Sequence, residues 1–146
     1  YGAGGSARAI ASALISNGIK EVGIANRTRA KAQIISENLG AKVIVVDWRS
    51  APEMVTNADI IINATSMGMV GQPDFSQPIS RAKKTALVVD IVYNPMVTDF
   101  LKEAKDLKLK TVGGIGMLIN QAVPAFEHWF QKTPVIDEEI RRFIIE

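Results

Sequence analysis

Two hydrophobic periods take turns along this chain. Ala7, Ile10, Ala11, Leu14 and Ile15 recur at helical spacing, and Asn17-Gly18 supplies a stop signal. Val22-Gly23-Ile24-Ala25 reads as a short buried strand. A second helix fits residues 30–39, ended by Gly40. Val43-Ile44-Val45-Val46 is a β-branched run with nothing polar in it, the pattern of a strand covered on both faces. Residues 50–57 predict a short helix, with Pro52 tolerated in its first turn. Residues 59–63 and 86–91 predict two more strands, and residues 68–78, rich in Gly, Gln and Pro, a loop between them. Thr98 suits the N-cap of a helix with Phe100 or Leu101, Ala104 and Leu107 on its inner face. Thr111-Val112 predicts a last short strand.

Strands alternating with helices predict an α/β fold, a doubly wound and mainly parallel Rossmann-type sheet with helices on both faces. The tail is helical. From Met117 one face carries Leu118, Ala122, Ala125, Phe126 and Trp129, and Pro124 inside that run is expected to kink or split it. A last helix over residues 137–145 is expected to bury Ile140, Phe143 and Ile144. Residues 1–113 thus read as a sheet domain, and residues 114–146 as helices packing on it and towards a portion outside this chain.

The first turn gives the sheet a task. Gly2, Gly4 and Ala7 fit the G-x-G-x-x-G/A dinucleotide fingerprint. The first small residue allows a tight turn, the second admits a pyrophosphate, and the third lets the helix lie close on its sheet. N–H groups at the helix start favour the phosphates. Such a turn normally follows the first, central strand of the order 3-2-1-4-5-6. This chain starts inside the turn, so its sheet is expected to be split. We read it as the tail part of a longer polypeptide, residues 1–113 lacking the first strand.

The end of the strand predicted at residues 22–25, second in the usual order once the missing first strand is counted, discriminates between cofactors. An NAD site carries Asp or Glu there, bonded to the ribose 2′-OH. Here the place holds Asn26-Arg27-Thr28, with Lys31 one helical turn on. A carboxylate repels a 2′-phosphate, whereas Arg27 can grip it with paired charge-assisted bonds. Cations at a helix N-terminus oppose its dipole, which points to an anionic partner rather than a plain solvated surface. Thr65, Ser66 and Met67 follow the strand at residues 59–63, at the side where open α/β sheets bind ligands. Ile91 and Tyr93 sit at the same end of the strand after that, where Ile91 could pack on a nicotinamide ring. Gly113, Gly114 and Gly116 permit close approach to a flat ring, and Gln121 could hold a hydroxylated substrate. Plainer readings stand beside these: a turn with capping hydroxyls, a core-edge Tyr93, a flexible connector.

Composition narrows the rest. The 146 residues make about one domain, 47% hydrophobic and 22% charged, ordinary for a globular protein. The net charge of +2 is scattered, with no basic stripe for nucleic acid. No apolar run reaches bilayer length. Without Cys there is no disulfide, zinc–thiolate site or Cys nucleophile, and one His argues against a metal centre. His128 reads as a surface residue, and Trp48 and Trp129 as packing residues.

Together the motifs resemble the shikimate dehydrogenase family. They are Gly-Ala-Gly-Gly-Ser-Ala-Arg-Ala from Gly2, Asn-Arg-Thr from Asn26, Asn-Ala-Thr-Ser-x-Gly-Met from Asn63, Asp-x-x-Tyr-Asn-Pro from Asp90 and Gly-x-Gly-Met-Leu-x-x-Gln from Gly114. The first is generic to Rossmann domains; the last three in this order are quite specific. The resemblance implies a cytoplasmic oxidoreductase of aromatic amino-acid biosynthesis that reduces 3-dehydroshikimate to shikimate with NADPH. It implies NADP contacts at Gly2, Ala3, Gly4, Gly5, Ser6, Asn26, Arg27, Thr28, Lys31, Thr65, Ser66, Met67, Ile91 and Gly114. It implies substrate contacts at Tyr93 and Gln121, no metal, an N-terminal substrate domain of the same protein as partner, and leaves a homodimer open. The family's proton-handling Lys and Asp lie in that other domain; no Lys here matches, so no catalytic residue is assigned to this chain. Lys31 stands where the family often has Arg, keeping charge but losing the bidentate grip. Two alternatives remain: the quinate/shikimate branch, which tends to favour NAD with an acidic residue at the ribose, and a non-catalytic NADP-binding module. Asn26-Arg27 argues against the first.

Overall fold

The computed structural model describes residues 1–145. Helix α1 (Gly5–Ser16) leads into β1 (Val22–Ala25), α2 (Arg29–Leu39) and β2 (Val43–Val46). A short α3 (Ala51–Met54), extended by a 3-10 turn over Val55–Asn57, precedes β3 (Ile60–Asn63). After a long irregular stretch come β4 (Leu87–Asp90), α4 (Asp99–Asp106), β5 (Lys110–Val112), α5 (Ile115–Phe130) and α6 (Glu138–Ile145). All pairings are parallel, as a chain of alternating strands and helices requires.

The strands form two sheets, β1–β2 and β3–β4–β5. Each has its own core. Ala7 and Ala11 of α1 and Ala32 and Ile35 of α2 pack with Ile24 and Val43 on the first. Phe100, Leu101 and Ala104 of α4 pack with Ile61, Val88 and Ile79 on the second. Thr98 caps α4 by accepting the Leu101 N–H, and Phe100 and Leu101 both turn inward. β1 and β3 face each other with no ladder between them along most of their length. Among the described residues Tyr1 and Gly2 bridge them by backbone hydrogen bonds. The Gly2 N–H donates to the Ala25 carbonyl (2.8 Å), the Ala64 N–H to the Tyr1 carbonyl (2.8 Å), and the Tyr1 amine to the Ile62 carbonyl (2.7 Å). Burial pushes that amine down to about 6. Behind the bridge lies a cleft of about 620 Å³ lined by both strands and by Ala11 and Leu14 of α1 and Met54 of α3.

The C-terminal helices depart from expectation. Pro124 does not split α5, which runs unbroken over Ile115–Phe130. Proline removes the bond to the carbonyl of Asn120, and both residues are exposed, so water can serve that group. The predicted inner face is not an inner face: Ile119 alone is buried in α5, and Trp129, expected to pack, is 74% exposed. On α6, Phe143 is 83% exposed, with Ile140 and Ile144 also open. These apolar positions follow the helical period, but nothing among the described residues covers them.

Candidate functional site

The fingerprint turn separates two kinds of glycine. Gly2 is buried at φ +105°, and a Cβ on it would lie 2.5 Å from the Ala64 carbonyl oxygen. The fold itself therefore demands glycine there. Gly4 and Gly5 are exposed, and a Cβ on either would meet nothing within 4 Å. Nothing among the described residues requires those two to be small, and the open space beside them leaves room for an outside group to approach. Gly4 is the N-cap of α1, yet no side chain caps the helix and no acidic residue lies in its first turn. Its leading N–H groups are left for water or an anion. Ala3 is half-buried and Ser6 exposed beside them.

At the end of β1, Ile24 and Ala25 are buried, Asn26 is half-buried, and Arg27, Thr28 and Lys31 are exposed. The Asn26 amide donates to the Thr28 carbonyl (2.9 Å), which shapes the turn into α2. That helix too lacks a side-chain cap and a first-turn acid, and carries Arg29 and Lys31 instead. Arg27 and Lys31 join no ion pair among the described residues. A turn of cations beside an uncapped helix start suits a phosphate-bearing ligand.

The ends of β3 and β4 are built differently. Asn63 and Asp90 are register partners and both fully buried. The Asn63 amide donates to Asp90 Oδ1 (3.0 Å) and to the Met67 carbonyl (3.1 Å). Its Oδ1 accepts the Thr65 N–H (3.1 Å) and hydroxyl (2.6 Å). Asp90 also accepts the Val92 N–H (3.0 Å) and the Thr98 hydroxyl (2.6 Å). Burial raises the Asp90 carboxyl above its usual range, opposed by the hydrogen bonds from Thr98, Val92 and Asn63.

Of the residues expected at this end, Ser66 and Tyr93 are exposed, Thr65 and Ile91 half-buried, and Met67 buried. The Thr65 hydroxyl and N–H are both taken up inside the chain, so of its hydrogen-bonding groups the carbonyl is left to border a ligand. Gly114 is buried, and a Cβ there would collide with the Ile91 and Val92 carbonyls. Its small size first serves the chain's own backbone rather than a flat ligand. Gln121 lies exposed about two turns into α5.

These contacts gather four segments on one rim, at the carboxyl ends of the strands. Gly2 touches Ala64, Asn63 bonds Asp90, and Gly114 abuts Ile91 and Val92. Arg27 joins through the Gly2–Ala25 bond at the end of β1. Tyr93 and Gln121 are exposed, and no hydrogen bond among the described residues joins them. Sequence reasoning missed Asn63 and Asp90 as structural keys. Their signal was a single polar residue closing an otherwise apolar strand.

Comparison with known proteins bears on this rim. Residues 1–117 match the family described as Shikimate / quinate 5-dehydrogenase, and residues 114–137 the Shikimate 5'-dehydrogenase C-terminal domain. A shikimate dehydrogenase (NADP(+)) of Paracoccus denitrificans is 45% identical over 144 residues, covering 99% of this chain and 51% of that protein. The quinate dehydrogenase of Corynebacterium glutamicum, solved with NAD, superposes with a TM-score of 0.90 at 32% identity, over 99% of this chain and 52% of that one. The shikimate 5-dehydrogenase of Thermus thermophilus, solved with NADP(H) and shikimate, gives 0.81 at 34%, over 97% and 52%. The chain spans about half the length of the curated relatives it matches. It belongs to the shikimate/quinate 5-dehydrogenase family.

Proposed function

From that membership we propose that this chain is the cofactor-binding half of an enzyme that reduces 3-dehydroshikimate to shikimate with NADPH, on the route to the aromatic amino acids. One observation carries the choice of cofactor: Arg27, exposed and unpaired among the described residues, stands where an NAD site keeps a carboxylate. Ala3, Gly4, Gly5 and Ser6 cradle the pyrophosphate at the start of α1, behind the turn that Gly2 makes. Arg27 and Lys31 hold the 2′-phosphate, with Asn26 and Thr28 shaping the turn between strand and helix. Thr65, Ser66, Met67, Ile91 and Gly114 border the nicotinamide end. When bound, the cofactor supplies the hydride that reduces the substrate carbonyl. Tyr93 and Gln121 orient the hydroxylated ring. The proton reaches the new alcohol from side chains outside this chain.

The domain reading follows the same lines. Residues 1–113 form the dinucleotide domain, and the cleft between β1 and β3 takes the strand that precedes Tyr1 in the longer protein. Residues 114–146 lay their apolar positions against the substrate domain, and cleft closure excludes water. The likeness to a quinate dehydrogenase solved with NAD supports a second reading, a quinate enzyme using NAD. Asn26-Arg27-Thr28, with no carboxylate, weighs against it.

Steady-state rates of the protein carrying both halves, with each cofactor and with shikimate and quinate, decide between them. NADP(H) with shikimate should win clearly. Equal use of NAD(H), or preference for quinate, removes the first reading. The present chain alone should show no turnover; activity from it would mean the proton donor lies here after all.

A further inference from the structure

β3 and β4 are wholly apolar until their last residues, Asn63 and Asp90, and those two are fully buried side by side. Apolar residues would close both strands at less cost, since a buried carboxylate without a cation must be held entirely by hydrogen bonds. No Lys or Arg pairs with Asp90 among the described residues. The bonds instead form one connected set with no freedom of assignment. The Asn63 amide cannot flip, because its Oδ1 faces the Thr65 N–H, which only donates. Its Nδ2 must therefore donate, to Asp90 and to the Met67 carbonyl. Thr98 Oγ1 accepts the Leu101 N–H, so its proton is directed to Asp90. The Val92 N–H can only donate. Three donors thus converge on Asp90 from three separate segments.

The segments so joined are the loop after β3, the loop after β4 and the start of α4. Gly114 rests on the Ile91 and Val92 carbonyls, so the start of α5 takes its place from the same set. We propose that Asn63 and Asp90 are a positioning pair, which sets the Thr65–Met67 and Ile91–Tyr93 segments in one register so that they receive the nicotinamide end of the dinucleotide. Neither touches the ligand. The inference deepens the NADP reading above and rests on it.

The test uses the protein carrying both halves and separates the two ends of the cofactor. Adenosine 2′,5′-bisphosphate reports the Arg27 end and the phosphate cradle beside it, without the nicotinamide; NADPH reports both ends. Asp90→Asn puts an N–H₂ among three donors, and Thr98→Val removes one donor, while Thr98→Ser keeps it. Asp90→Asn and Thr98→Val should each weaken NADPH by about tenfold or more and leave the bisphosphate within about twofold. Thr98→Ser should restore NADPH binding. In Asp90→Asn the Val92 amide should exchange with solvent about tenfold faster. NADPH binding unchanged in both variants overturns the proposal. So does bisphosphate binding that falls in step with NADPH, because the pair would then support the fold in general. Should Asp90→Asn not fold, the Thr98 variants decide. A parent protein that binds neither ligand would sink the NADP reading and this one with it; a parent that binds both, with variants that do not differ, sinks this one alone.

Discussion

At the end of β1 the chain presents long charged side chains in solvent, tied down by little more than the Asn26–Thr28 bond. At the ends of β3 and β4 it presents loop segments pinned from below by buried Asn63 and Asp90. The first arrangement carries chemical identity, because a guanidinium can select a phosphate while contributing almost nothing to the fold. The second carries position, because the side chains of Asn63, Thr65, Asp90 and Thr98 are used up internally in holding its loops. One region should tolerate substitution in stability and fail in selectivity; the other should fail in stability first.

Glycines give that contrast its hardest test. Gly114→Val drives a branched side chain into the Ile91 and Val92 carbonyls, and should cost about 3 kcal/mol or more of stability by urea denaturation. Gly5→Ala has open space around it, so stability should hold or rise by about 0.5 kcal/mol while NADPH binding weakens. If Gly5→Ala unfolds the protein, or Gly114→Val does not destabilise it, the division between the regions is wrong.

Next in size, Arg27→Asp should weaken NADPH by about a hundredfold, with thermal stability unchanged and NADH binding little affected. Titration of both cofactors by fluorescence checks it. Equal losses for the two would take the 2′-phosphate away from Arg27.

With Tyr1 as its first residue, the seam between the sheets should respond to pH. The Tyr1 amine is pushed from 8.0 in the open chain to about 6 when folded. Between those values the unfolded chain binds a proton that the folded chain does not, so stability should fall as pH drops from 8 to 6, by about 2 kcal/mol. Denaturation of this chain at the two pH values measures it. In a protein with residues before Tyr1 an uncharged peptide N–H occupies that place, and the step should vanish. A step that persists there must come from another group.

Much of this was legible before any coordinates. Runs such as Val43-Ile44-Val45-Val46 and Ile60-Ile61-Ile62 leave few options but buried strands, and Thr98 capped its helix as its residue type suggests. The Asn63–Asp90 pair escaped notice because local pattern does not report which strand ends become neighbours; register does. Gly114 shows a ligand-facing motif in the sequence, and only the structure adds that the chain's own backbone also demands a glycine there. Pro124 was given its usual power to break a helix, which is muted where the freed carbonyl meets water. The helical faces in the tail followed the right period, but period alone states that a face is apolar, not that its cover lies within the same residues.

Helix α5 carries the contrast between regions within itself, and gives the smallest effect. Its first residues are anchored under the β4 loop by Gly114, while Trp129 and Phe130 near its end are 74% and 59% exposed. A side chain that open contributes little to folding, so Trp129→Ser should change the stability of this chain by no more than about 0.5 kcal/mol. In the protein carrying both halves the same substitution should cost about 2 kcal/mol, the burial of a large apolar side chain, if the substrate domain rests on this face. Paired denaturation curves, with and without the other half, separate the cases. A large loss in the chain alone would mean that α5 docks on its own sheet. A negligible loss in both would leave Trp129 facing water in the complete enzyme, and the domain contact would have to be sought elsewhere on the tail.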